Sequence, residues 1–272
     1  MKVINSIFSK LDWVMETPTS YGVFHLISFL LMTIVIVIVA RGLKINKEKT
    51  ITITLLASTI LMLTLEVVKQ GLFTYEASKY QWYAFPFQFC STPMYISLLA
   101  LIIKNQKIRS FLYSFLAFFG LFGGLVVMLY PNDVFVNLVL INIQTMIHHG
   151  AMVVMGVTLI LAQKVSFDLK SLLKGASVFI SLAIIAQILN VIGHYADLGT
   201  FNMFFISPFQ KNHLPILSNI QASQPYVVFL LSYLFGFTLA AFVVQKVCHL
   251  VQKATKSARR ASWKYIEEKS LS

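Results

Sequence analysis

The chain has 272 residues, is 57% hydrophobic and only 12% charged, and carries a formal net charge of +12. Its charges stand in short islands between long apolar runs, which excludes a soluble domain and defines an integral membrane protein. The positive excess lies against the ends of those runs and in the tail 250–272, so the expected partner there is anionic inner-leaflet lipid, not nucleic acid.

Residues 1–22 carry no cleavable signal pattern. Ile4, Ile7, Phe8, Leu11, Val14 and Met15 form a helical stripe with Lys10 and Asp12 off it, which predicts an amphipathic helix on the outer surface ended by Pro18. One transmembrane domain, 23–249, follows. Its apolar runs fall near 23–40, 50–68, 87–103, 111–130, 134–162, 172–192 and 226–247. Each approaches the length that spans ~30 Å of hydrocarbon. Continuous apolar character excludes a barrel, so an all-α bundle of seven transmembrane helices is expected. The third run is interrupted early by Pro86 and Pro93. "GLFGG" in the fourth reads as close helix packing. The one long connection, 194–225, contains the apolar "FNMFFI" and reads as an outer lid or re-entrant segment.

With that topology 17 of the 22 Lys and Arg residues fall on one face and 5 on the other. The positive-inside rule then puts the N-terminus outside and the C-terminus in the cytoplasm of a multi-pass cell-membrane protein.

Several polar side chains share one depth. Counted along a helix from the nearest basic residue, Cys90 lies about 21 Å above Lys104. On the same count His149, Asn190, His25 and Glu66 lie about 22 to 26 Å above Lys164, Lys174, Arg41 and Lys49. Lys69, His148 and His194 are close to the same level. Polar groups in hydrocarbon are costly and need partners, so the layer predicts an interior polar cavity in the outer half of the bilayer. Asn190 and His25 also suit plain helix-packing hydrogen bonds.

A buried cysteine is commonly a small hydrophobe, but an imidazole that takes its proton makes it the nucleophile of acyl transfer. His149 is the expected partner of Cys90, with His148 the alternative for that place. Cys248 lies at the opposite level, so no disulfide with Cys90 is expected. Adjacent His148 and His149 point about 100° apart on a helix, unlike an i, i+4 zinc pair; neither a metal nor another cofactor is expected.

"FHLIS", Glu66, "FPFQFCS", "HHG" and "GTFNMFF", in that order over residues 22–245, resemble the YwaF-like family of bacterial integral membrane proteins. That family is similar to a vertebrate transmembrane acyltransferase acting on ether phospholipids through a cysteine. The resemblance implies that Cys90 is the nucleophile and His149 its partner. Gln88 stands where a histidine is common in the family, an amide that hydrogen-bonds but does not titrate. Asn202–Met203 replaces the family's Asn-Tyr, which removes a hydroxyl.

Two functions fit these residues. The first is a cysteine-dependent phospholipid acyltransferase or acyl hydrolase, with Cys90 and His149 catalytic and His25, Glu66, Gln88, His148, Asn190, His194 and Asn202 supporting or binding. The second is a transporter or lipid/solute-binding protein that uses the same polar layer, although no repeated halves are present.

Overall fold

The computed structural model describes residues 8–11, 13–132 and 134–271, with side chains described as far as Ser257. Ile4 and Ile7 of the predicted amphipathic stripe, and the side chains of the tail from 258, lie outside the described residues; at Val14 and Met15 the stripe is not helical but extended, with Val14 bridged to Leu138, so the expected helix does not run on to Pro18. The described part is all-helical. Among the described residues six helices are long and apolar enough to cross a membrane: α1 (Val23–Ile45), α2 (Lys47–Glu76), α4 (Gln106–Leu129), α5 (Val139–Leu161), α6 (Leu169–Tyr195) and α8 (Tyr226–Leu271), whose apolar span is Tyr226–Ser257. Between α6 and α8 lies the short α7 (Leu217–Ser223).

The third apolar run behaves differently. Its helix, α3 (Thr92–Ile102), is preceded by a 3-10 turn at Phe89–Ser91, and the joint apolar helix Phe89–Ile102 is shorter than the other six. Proline explains the late start. Pro86 cannot donate a helical hydrogen bond, whereas Pro93 sits in the first turn of α3, where its missing N–H has no intrahelical acceptor to satisfy. Residues 82–88 instead descend through a 3-10 turn at Trp82–Ala84 and extended backbone at Gln88.

Asparagine starts two of the helices. Asn46 accepts from the Lys49 amide before α2, and Asn105 from the Lys107 and Ile108 amides before α4. Inside α4, Phe115–Gly120 form a fully buried π turn, a widening of the helix that is frequent near functional sites.

α5 is the central helix, with 83% of its most apolar stretch buried against 17% for α1 and α8. It packs on α1, α2 and α4, while α6 and α8 close the far side of α4. Glycine sets the α4–α5 spacing: a Cβ on Gly124 would stand 2.8 Å from the His149 carbonyl oxygen, and one on Gly156 2.8 Å from Leu121 Cβ. That matches the close packing read from "GLFGG".

Contacts between loops sort them into two ends. At the basic end Lys164 pairs with Glu48 at 2.7 Å, Gln245 donates to the Asp168 carbonyl at 3.0 Å, and His249 stacks on Phe167. At the opposite end Gln88 bonds Asn202, Trp82 packs on Phe201, and an isolated antiparallel bridge pairs Val14 with Leu138.

Candidate functional site

Cys90 is half-buried in the 3-10 turn that opens α3. At this helix start the Ser91 and Thr92 amides are both taken by the Gln88 carbonyl, at 2.8 and 3.3 Å, and Pro93 has no N–H. Aromatic rings pack around Phe89, the neighbour of Cys90. Phe89 meets Phe115, Phe179, Phe204 and Phe237 edge-on at 5.0–6.4 Å between centroids. Tyr233, stacked on Phe237 at 4.4 Å, lies within electrostatic reach of the thiol.

His148, not His149, touches the cysteine. Its Nε2 lies 2.9 Å from the Cys90 carbonyl oxygen. Because a carbonyl only accepts, Nε2 carries the proton and Nδ1 presents a lone pair in the neutral ring. That Nδ1 is buried and has no hydrogen-bond partner. His149 turns the other way and donates from Nδ1 to the Thr145 carbonyl at 2.8 Å, with the two imidazole centroids 5.6 Å apart. The α5 helix decides this division, since neighbours about 100° apart cannot both face α3.

Glu66 is buried on α2. Its Oε1 accepts from Lys69 at 2.8 Å and from Gln70 at 2.7 Å, while its Oε2 has no partner. Gln70 also donates to the Ala84 carbonyl at 2.6 Å, which ties the pair to the descending 82–88 segment. The Lys69 ammonium is within electrostatic reach of Cys90, His148 and His149. Sequence depth placed Lys69 near the layer; the role of Gln70 was visible only as the i+4 neighbour of Glu66. Tyr233 was missed, because in sequence it belongs to the Phe229–Tyr233–Phe237 stripe and reads as packing.

Gln88, Asn190 and Asn202 share a different task. Gln88 donates to the Asn202 carbonyl and accepts from the Phe204 amide, each at 2.9 Å. Asn190 brackets Met203 in the same way, donating to its carbonyl at 3.0 Å and accepting from its amide at 2.6 Å. Asn202 accepts from the Ser207 amide at 2.9 Å. Together they clamp the 202–207 loop beneath the cysteine turn. The clamp has strain to hold, because Phe204 and Phe205 both adopt left-handed backbone at φ 58° and 56°. Phe204 is driven there by burial, with its ring against Phe87, Phe89 and Phe179. An Asn190→Ala variant is therefore expected to lose about 2 kcal/mol, two buried backbone bonds at ~1 kcal/mol each, and to free this loop first. Thermal unfolding with hydrogen exchange on 200–208 measures both; an unchanged loop would refute the clamp.

His25 stands apart from this cluster's chemistry. Its Nδ1 accepts from the Tyr21 amide and its Nε2 donates to the Met128 carbonyl, both at 2.9 Å, so both nitrogens are spent joining α1 to the end of α4. His194 is exposed and stacks on Phe209 with ring centroids 3.7 Å apart. Cys90 and Cys248 are both free thiols. Among the described residues no group of His, Cys, Asp or Glu is placed to hold a metal ion.

These features define a helical, membrane-embedded protein with a polar cluster of thiol, imidazoles and a buried ion pair near one end of the bundle. The chain belongs to the TMEM164 family, whose model matches residues 17–245. No curated protein and no solved structure matches it.

Proposed function

We propose that this protein is a cysteine-dependent acyl-transfer enzyme acting on membrane phospholipid, with seven crossings, the N-terminus outside and the C-terminus cytoplasmic. One observation carries the reading: an imidazole hydrogen-bonded to the backbone of Cys90 and bearing an unpartnered, buried ring nitrogen. The topology rests on the basic-residue asymmetry and on loops that meet at two ends as an odd number of crossings requires.

In this reading the His148 ring gives up the Cys90 carbonyl and turns Nδ1, which has no partner at rest, onto the Cys90 thiol to take its proton. The thiolate attacks the ester carbonyl of a phospholipid to give a tetrahedral oxyanion. Collapse breaks the C–O bond, and the imidazolium returns the proton to the departing lysophospholipid alkoxide. The thioester left on Cys90 is attacked by the hydroxyl of an acceptor lysolipid, or by water, with His148 as base; the free thiol is restored. Lys69, balanced by Glu66, supplies a cation beside the site for the lipid phosphate.

The reading is tested by labelling membranes with a thiol-directed, lipid-like probe. Wild type is expected to label at Cys90 and to be protected by phospholipid, and Cys90→Ser to lose the label while Cys248→Ser keeps it. Label confined to Cys248 would overturn it.

A further inference from the structure

A second site lies at the basic end, away from Cys90. α3, α4 and α6 enclose a groove of about 430 Å³ whose walls are almost wholly apolar, including Ile96, Ile108, Phe111 and Leu182. Lys107 forms part of its rim. The Lys174 ammonium lies 5.7 Å from the ring centroid of Phe111, so a second cation stands beside the same wall. Neither lysine takes part in the ion pairs Lys69–Glu66 and Lys164–Glu48. Asp168 is within reach of Lys174, but its carboxylate accepts from the Ser171 amide and the Ser166 hydroxyl.

The groove owes its hollow to two serines. Ser177 and Ser181 line it on a face of α6 otherwise exposed as isoleucine at 180, 184 and 188. Their hydroxyls donate to the carbonyls of Lys174 and Ser177 at 2.8 and 2.9 Å, which removes most of the cost of holding hydroxyls in hydrocarbon. The depth fits one leaflet. Leu182 is eight positions past Lys174, about 12 Å along α6, against ~15 Å for half the hydrocarbon core.

We propose that this groove binds a phospholipid of net negative headgroup from the leaflet at the basic end, its acyl chain along Ser177 and Ser181 and its phosphate between Lys107 and Lys174. The charge at the rim selects the occupant: a neutral apolar molecule would fill the walls but offer nothing to the two cations, of which Lys174 has only the already hydrogen-bonded Asp168 within reach. The site does not depend on the acyl-transfer reading.

The experiment uses the full-length protein, purified in detergent and titrated with phosphatidylglycerol or phosphatidylcholine, with retained lipid counted by native mass spectrometry. Wild type is expected to hold phosphatidylglycerol in preference to phosphatidylcholine. At ~1 kcal/mol for each lysine near the surface, Lys107→Glu with Lys174→Glu is expected to weaken retention by about tenfold or more. Ser181→Trp, which fills the groove and leaves the charge intact, is expected to do the same. Lys253→Glu with Lys256→Glu in the tail keeps the overall charge change but is expected to have little effect. Equal retention of the two lipids, or an equal loss in the tail variant, would overturn the proposal in favour of diffuse attraction. A photo-crosslinkable phosphatidylglycerol on wild type gives a readout that needs no variant to fold. Crosslinks on 107–112 and 177–182 support the groove, and crosslinks spread over other lipid-facing helices refute it.

Discussion

Cys90→Ala is expected to abolish lipid acyl transfer, by on the order of a thousandfold or more, while the protein stays inserted and folded. Thiol to methyl removes the nucleophile but little volume, and Cys90 is only half-buried at a helix start. The packing cost should be about 1 kcal/mol or less. Backbone contacts that hold the turn, the Ser91 amide on the Gln88 carbonyl and the Thr92 hydroxyl on the Phe89 carbonyl, do not involve the sulfur. Membrane lipid profiles and the thermal midpoint of the purified variant are measured on one preparation. Full activity in a folded Cys90→Ala protein would eliminate covalent catalysis and favour a lipid- or solute-binding role for the same polar cluster.

His148 is expected to give the second large effect, and a diagnostic one. His148→Ala should fall to nearly the activity of Cys90→Ala, and the double variant should be little worse, since a nucleophile and its base act as one unit. The histidine also holds the Cys90 carbonyl, a single hydrogen bond worth about 1 kcal/mol, so loss of position has to be separated from loss of the base. His148→Gln does this. It supplies an N–H donor for the carbonyl but no basic nitrogen, so it should regain stability without regaining activity. His149→Ala removes a ring whose donor goes to its own helix at Thr145, and should retain far more activity than His148→Ala. If His149→Ala is the inactive variant and His148→Ala is not, the base has been assigned to the wrong ring.

The candidate site was half legible in the sequence. Depth alone puts Glu66, His149, Asn190 and Cys90 on one level, because helix rise converts residue number directly into height. Height says nothing about azimuth. His25 shares the level but spends both nitrogens on Tyr21 and Met128, and His194 lies on the surface against Phe209. Gln88, placed by resemblance at a position where histidine is common, proves to be one of three amides holding the 202–207 loop. The bridge between Val14 and Leu138 has no local signature, because it pairs segments more than a hundred residues apart.

By itself the sequence determined the solvent and the elements. Lipid leaves a long apolar run little choice but a helix, so six helices appear close to where hydropathy put them. Proline at 86 and 93 already marked the third run as irregular, though not that its helix would wait until Thr92. Only the tertiary structure decided which imidazole meets Cys90. His148 and His149 are chemically identical neighbours on α5, and the choice between them depends on how α5 is rotated against α3 and α4. That rotation is set by the close approach at Gly124 and Gly156 and by rings packed from distant helices around Phe89, interactions that no local stretch of sequence contains.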